Sequence, residues 1–417
     1  MNGRERLIEA IHHRPTDRPP IDLGATAVTG IHASTLYGLR RALGLEERPI
    51  TVHEVFQQLG SVDPDVLAAL SIDVVGLWNP TNFVGVRNDS YKEWTAPQGI
   101  PARIATGFEY DLIDGEVFAY PSGHRSAAPS FHMPRGGWFF DNIERSAGSI
   151  DDEPLTPRLD FAESFSVLSD KDARYFERES KRLATETGLG VIGNLGAAGF
   201  GDVALLPGPS IDHPRGIRRM DEWLMAHKLH PDYIHEVYSM QLEIGLKNLE
   251  IYRQAVGDRI QVIFMGGTDF GTQNCEFMPR EDFLEFYAPY WKRMNDWVHR
   301  NTGWKTFYHT CGSIPNLIGD MADAGADILN PVQCSAHGME AQGLKSRFGD
   351  RVTFWGGGVD TQKTLPFGTA EEVLAEVRER IAIFSAGGGY VLNPIHNVQA
   401  RTPVENLLAF FRAGGVY

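Results

Sequence analysis

Short apolar runs alternate with helical patterns along most of this chain, and that alternation is the mark of parallel βα units. The runs fall at 20–24, 72–78, 190–195, 261–265, 306–309, 327–330, 353–355 and 390–393, eight in all. Between them the spacing predicts helices over 231–256, 280–300, 314–324, 370–384 and 403–413, several with proline in the first turn and glycine after the last. Eight strands are what a closed (β/α)8 TIM barrel requires. An open doubly wound sheet uses the same elements, because a sequence shows strands and not closure.

One interruption breaks the rhythm, after the second strand. Residues 79–162 hold Tyr91, Trp94, Tyr110, Phe118, Tyr120, Trp138, Phe139 and Phe140, with turn signals at Pro97-Gln98-Gly99, Asp114-Gly115 and Gly136-Gly137. The pattern predicts short antiparallel strands, an aromatic-rich excursion from a single barrel domain spanning 1–417. Its aromatic residues serve as packing for a small subcore, or as a lid or docking face over a pocket.

Composition excludes several classes of function. With 417 residues and 42% hydrophobic content, the chain is long enough to bury a large core. It has no apolar stretch near the 18 residues of a membrane span, and its first residues, Met-Asn-Gly-Arg-Glu-Arg-Leu, start an amphipathic helix and not a signal core. A net charge of -15 opposes nucleic acid as a partner, because neutralising phosphates takes a basic surface. Three cysteines do not make a disulfide framework and fit a reducing cytoplasm.

Two of those cysteines carry the strongest chemical signal. In Tyr-His-Thr-Cys-Gly, His309 and Cys311 sit two residues apart at the end of an apolar run, so in an extended chain both side chains point to one face. Cys334, in Asn-Pro-Val-Gln-Cys, follows the next run. One imidazole and two thiolates with an open fourth position describe a catalytic zinc site better than a structural one, which usually closes with four ligands. The plain alternative is two buried thiols and a hydrogen-bonded core histidine.

In a barrel the loops after the strands form the active-site face, and several polar clusters fall there. They contain Asn194, Asp269 and Gln273, Asp360, and His396 with Asn397 and Gln399. Asp269 suits a general base or a group orienting a metal ligand, and His396 a second catalytic group; helix and turn capping competes as a role for Asp269 and Asp360. The glycine-rich stretches match no nucleotide-binding spacing.

From residue 2 to 412 the chain resembles the uroporphyrinogen decarboxylase superfamily. The resemblance rests on Asp17-Arg18-Pro19-Pro20, Phe354-Trp355-Gly356-Gly357-Gly358-Val359-Asp360 and the segment from Gly387 to His396. It implies a (β/α)8 barrel, and the pattern of His309, Cys311 and Cys334 is similar to the zinc-dependent methyltransferase branch. That branch moves methyl groups between a small molecule, of methyl ether or thiol type, and a corrinoid carried on a partner protein. The resemblance therefore implies Zn2+ on these three residues; it matches no position for a fourth ligand, for which Glu276 and Asp269 are the candidates, and the strand-end residues Asn194, Gln273, Asp360, Asn397 and Gln399 are the expected substrate contacts. The chain departs from the true decarboxylases at 22–31, Asp-Leu-Gly-Ala-Thr-Ala-Val-Thr-Gly-Ile, where those enzymes carry arginines for a tetrapyrrole with eight carboxylates. Decarboxylation of such a tetrapyrrole is the runner-up, followed by a noncatalytic zinc-containing barrel that binds a ligand.

Overall fold

The computed structural model of the protein describes residues 1–96, 98–146, 148–152 and 154–417. Its strands, in chain order, begin with β1 (Ile50–Glu54), β2 (Leu59–Gly60) and β3 (Val74–Leu77). There follow β4 (Tyr91–Thr95), β5 (Pro101–Ala105), β6 (Tyr110–Ile113), β7 (Glu116–Ala119), β8 (Phe131–Met133) and β9 (Asp141–Asn142). The last six are β10 (Gly190–Asn194), β11 (Val262–Gly266), β12 (Lys305–His309), β13 (Ile328–Asn330), β14 (Thr353–Trp355) and β15 (Tyr390–Val391).

Seven of these form one curled parallel sheet in the order β15-β14-β13-β12-β11-β10-β3, a TIM-barrel-like arrangement with helices in the crossovers. The first apolar run lies between its two outer strands. Asp22 N–H donates to Leu392 O at 3.0 Å, Leu392 N–H to Pro20 O at 2.8 Å, and Asp73 N–H to Ile21 O at 2.9 Å. The expected first strand is thus present as a single-residue parallel bridge, Ile21 to Leu392, and not as a full ladder.

The sheet encloses a separate apolar cluster. Each long strand gives it one inward residue: Val74, Ile192, Val262, Phe307, Ile328, Trp355 and Val391. The helix Gly3–Ile11, capped by Asn2 and Glu5, brings Leu7 and Ile11 to this core, and the loop after Asp22 adds Ala25 and Val28. Helices pack outside. Pro231–Val256 starts with proline and stops at Gly257, whose φ of 51° continues no helix. Ala370–Phe384 starts on a Thr369/Glu372 capping box. Both match the predicted spans. The predicted helix over 280–300 is instead three pieces, with a π segment at Phe283–Tyr287 between Arg280–Asp282 and Ala288–Asn301. The one over 314–324 shortens to Ile318–Asp323. Among the described residues no helix is long and apolar enough to cross a membrane.

The interruption after β3 forms antiparallel strands, with β6-β7-β8-β9 as one sheet. Asp114 and Gly115 make the two-residue turn between β6 and β7, both at positive φ (51° and 83°), as a primed turn demands. The turn expected at Pro97-Gln98-Gly99 includes Pro97, which lies outside the described residues. One feature departs from expectation: β5 pairs in parallel with β1, so the excursion is anchored on residues 50–60, a stretch to which the sequence reading gave no strand.

Candidate metal centre at the strand ends

β12 ends in the sequence His309-Thr310-Cys311, and the backbone beyond the strand is pinned on both sides. Cys311 N–H donates to Asp269 Oδ1 at 2.7 Å, from the loop after β11. Gly312 N–H donates to Gln333 Oε1 at 2.8 Å, from the loop after β13. Gly312 itself has φ 92°, and a Cβ there would lie 2.3 Å from the Gly271 backbone, so the close approach of the two loops requires glycine. His309 Nε2 lies 3.3 Å from Cys311 Sγ. From the far side of the mouth, the His396 ring stands edge-on to the His309 ring, centroids 5.2 Å apart. One ligand atom from each of His309, Cys311 and His396 lies within 4.8 Å of the others.

Burial sets the charge state of this group. It pushes the His309 pKa down to about 4 and that of His396 to about 3, the latter with help from His309, so both rings are neutral and offer lone pairs. Burial, and then the neighbouring Asp269 carboxylate, push the Cys311 thiol well up. Asp269 keeps 32% of its side-chain surface, yet enclosure by the protein raises its pKa against the lowering effect of the Cys311 N–H. Asp269 Oδ1 is 3.8 Å from His309 Nε2. On its other edge His309 Nδ1 meets Asn330 Oδ1 at 2.5 Å, which fixes the tautomer and leaves Nε2 free to bind. Asn330 is held in turn by Trp355 O at 2.9 Å.

The sequence-derived residues divide sharply here. Cys334, expected as a ligand, is not in the group. It packs against the main core, and its thiol, raised to about 12 by burial, feels the charges of Arg380 and Glu376 on the helix Ala370–Phe384. The chain turns immediately after β13, and Cys334 N–H bonds back to Val332 O, so the side chain leaves on the helix side of the sheet. His396, expected as a catalytic group, takes the third place. Glu276 is occupied elsewhere, accepting from Asn316 Nδ2 at 3.1 Å.

Most expected substrate contacts are hydrogen-bonded to loops. Asn194 Nδ2 donates to Ala25 O at 2.9 Å. Gln273 Nε2 donates to Ser335 O at 2.5 Å, while its Oε1 accepts from Gln333. Asp360 accepts from Gln362 N–H at 2.8 Å, the turn role the sequence also allowed. Asn397 is fully buried, binding Gly30 N–H, Ala27 O and Gln57 Oε1, and Gln399 Nε2 donates to Asn397 O at 3.4 Å. Sequence reasoning gave no role of their own to Asn330, which ends an apolar run, or to Gln333, which lies in the polar stretch after it.

Residues 214–415 match the uroporphyrinogen decarboxylase (URO-D) family model. In solved structures the chain is similar to a methyltransferase from Methanosarcina mazei at 17% identity and a TM-score of 0.54, over 100% of this chain and 98% of that one. A GH113 beta-1,4-mannanase overlaps less, at 14% identity and a TM-score of 0.30, over 58% of this chain and 79% of that one. No curated protein sequence matches. The curled parallel sheet and the polar cluster at its carboxyl ends agree with the match over 214–415, and those residues carry the pattern of the uroporphyrinogen decarboxylase family.

Proposed function

We propose that this protein is a zinc-dependent methyltransferase, moving a methyl group between a small molecule of methyl ether or thiol type and a corrinoid on a partner protein. The observation that carries the reading is the convergence of His309, Cys311 and His396 at the ends of the barrel strands. Two neutral imidazoles and one thiol are donors zinc prefers, and three protein ligands leave a position for substrate. His396 thereby replaces Cys334 as the third ligand. When bound, the ion supplies Lewis acidity, lowering the pKa of a thiol or polarising the heteroatom that leaves the methyl group.

The rest of the chemistry falls to the chain. Asn330 orients the His309 ring, and Asp269 and Gln333 hold the backbone on either side of the Cys311 α-carbon. Asp269, with one oxygen on the Cys311 N–H, uses the other to hold a proton released by or delivered to the substrate. The loop 22–31 places Val28 against the barrel core and carries no arginine, so a tetrapyrrole with many carboxylates lacks guanidinium partners there. The barrel with its 79–162 excursion acts as one domain, and the corrinoid protein docks over the mouth beside that excursion. Three unpaired cysteines suit a reducing cytoplasm.

The test compares two variants. Protein purified without chelator and offered zinc should hold about one ion per chain. His396→Ala should lose it, and Cys334→Ala should keep it. Methyl transfer is then assayed with methylcobalamin and thiols and, separately, with reduced corrinoid and methyl ethers, with uroporphyrinogen in parallel. Metal-independent decarboxylation of that tetrapyrrole, unchanged in Cys311→Ala, would sink the methyltransferase reading.

A further inference from the structure

Beside the strand ends lies a cavity of about 190 Å³ that none of the three proposed metal ligands lines. It is a partly open cleft bordered by the loop after β10, the helices Met220–Leu229 and Pro231–Val256, and the segment around Phe161. Its size is that of a single substituted ring: an apolar cavity of ~150 Å³ holds benzene. Its walls are aromatic. Phe161, Phe165, Trp223 and Tyr238 all line it, with the Phe161 and Trp223 rings 5.6 Å apart.

The polar groups around it are mostly donors without charged partners. Arg218 lines the cavity at 2% exposure and makes no ion pair among the described residues. Its hydrogen bonds go to the carbonyls of Arg215, Leu206 and Asp160 and to Ser164 Oγ, all neutral, and its guanidinium lies 4.0 Å over the Phe161 ring. A buried cation without an anion is costly. Trp223 Nε1 and Tyr238 Oη are both buried without a partner in good hydrogen-bonding geometry, with Tyr287 Oη standing beside them at Gly201. They converge on Gly201, which also lines the cavity: a Cβ there would meet Tyr238 Oη at 2.2 Å and Trp223 Nε1 at 2.9 Å. Native proteins rarely leave buried donors unpaired without a ligand or water to receive them. The one acid in the lining, Asp202, accepts from Ala204 N–H at 3.0 Å. Burial pushes its pKa up to about 7, toward the neutral form.

From this combination of an aromatic box, an unneutralised guanidinium and two unpaired donors, we infer that the cavity binds a single-ring aromatic carboxylate. The ring stacks among the aromatic walls, and the carboxylate offsets the Arg218 charge and accepts from the orphaned donors. The site stands independently of the metal reading, because its residues and those of the metal cluster do not overlap.

Binding is measured by calorimetry and by Trp fluorescence on the full chain, with and without zinc, using 4-methoxybenzoate and its uncharged counterpart 4-methoxybenzamide. The acid should bind at least ~10-fold more tightly than the amide, with or without metal, since only the acid brings the charge that Arg218 lacks. Tyr238→Phe keeps the ring and removes one donor, and should weaken the acid by ~3- to 10-fold. Arg218→Met should abolish the preference for the acid; because Arg218 also ties three carbonyls, a misfolded Arg218→Met leaves Tyr238→Phe and the acid-to-amide ratio to decide. Equal binding of acid and amide, absence of binding by either, or acid affinity unchanged in Tyr238→Phe overturns the proposal. Loss of zinc in His396→Ala leaves these readouts unmoved, so the two readings fail separately.

Discussion

The two ends of the barrel each bury a polar cluster, and they solve the problem of burial in opposite ways. At the amino ends of the strands, Asp73 is met by Arg6 Nη1 at 2.6 Å, by Arg18 Nη1 at 2.5 Å and by the Ile21 N–H at 2.8 Å. Arg6 grips Asp17 with two further bonds of 2.8 Å. Every charge there has an opposite charge beside it. At the carboxyl ends, His309, Cys311, His396 and Asp269 cluster without a single lysine or arginine among their bonded partners in the described residues. Burial there is met by neutralising the groups instead, and the ligand atoms of the cluster point at one another. A self-satisfied cluster holds a fold together, and an unsatisfied one is prepared for something from outside.

The sharpest way to break this contrast is to remove the thiol. Cys311→Ala should drop zinc far below one per chain and cut methyl transfer by about three orders of magnitude or more, with little change in the unfolding of the metal-free protein, read by elemental analysis and calorimetry. The reciprocal experiment is Asp73→Ala, which strands Arg18 and leaves Arg6 with Asp17 alone, and should cost about 3–5 kcal/mol in denaturant unfolding, while the folded fraction keeps its zinc. If Asp73→Ala lost metal first, the two ends would not be independent.

Smaller changes sharpen the comparison. Asn330→Ala frees the His309 ring to rotate and should weaken zinc binding by about 10- to 100-fold in a competition titration. Asp269→Asn keeps the shape, and we expect zinc to remain while the rate falls by about 10- to 100-fold; a metal-free Asp269→Asn would instead make Asp269 a ligand. The smallest effect concerns pH, and the two ends differ in sign. Asp202, raised to about 7 by burial, favours its neutral form, so its contribution to stability is full below about pH 4 and lost as pH rises toward 7. Asp17, lowered by its hydrogen bonds from Arg6, contributes above the ordinary carboxylate range and loses that contribution as acid protonates it. Asp202→Asn should flatten the first limb by about 1–3 kcal/mol in urea unfolding between pH 4 and 7 and leave the second untouched.

Much of the architecture was legible because it is local. The helices Pro231–Val256 and Ala370–Phe384 were read with their ends, since proline, a capping box and a positive-φ glycine act within a turn of the boundary. The strands of the curled sheet were read from their apolar runs. By contrast, β1 is a five-residue run, Ile-Thr-Val-His-Glu, whose mixed polarity does not separate it from a loop, and it becomes a strand because the distant β5 pairs with it. The π segment at Phe283–Tyr287 arises in a stretch where Phe283, Tyr287 and Trp291 pack against one another, with Phe283 and Tyr287 stacked 6.2 Å apart; no local propensity encodes it.

The candidate centre shows the same division. By itself the sequence determined that His309 and Cys311 share a face at a strand end, because two residues of extended chain return a side chain to the same side. It also determined that the mouth lacks arginines in 22–31. Only the tertiary structure decided which third residue joins them. Cys334 is 23 residues beyond Cys311 and His396 is 85, yet the nearer thiol leaves on the helix side of the sheet while curvature of the sheet brings the distant imidazole across the mouth. Sequence spacing reports direction along one strand; proximity between strands is set by how the sheet closes and where each loop turns, and those follow from packing the whole chain around its core.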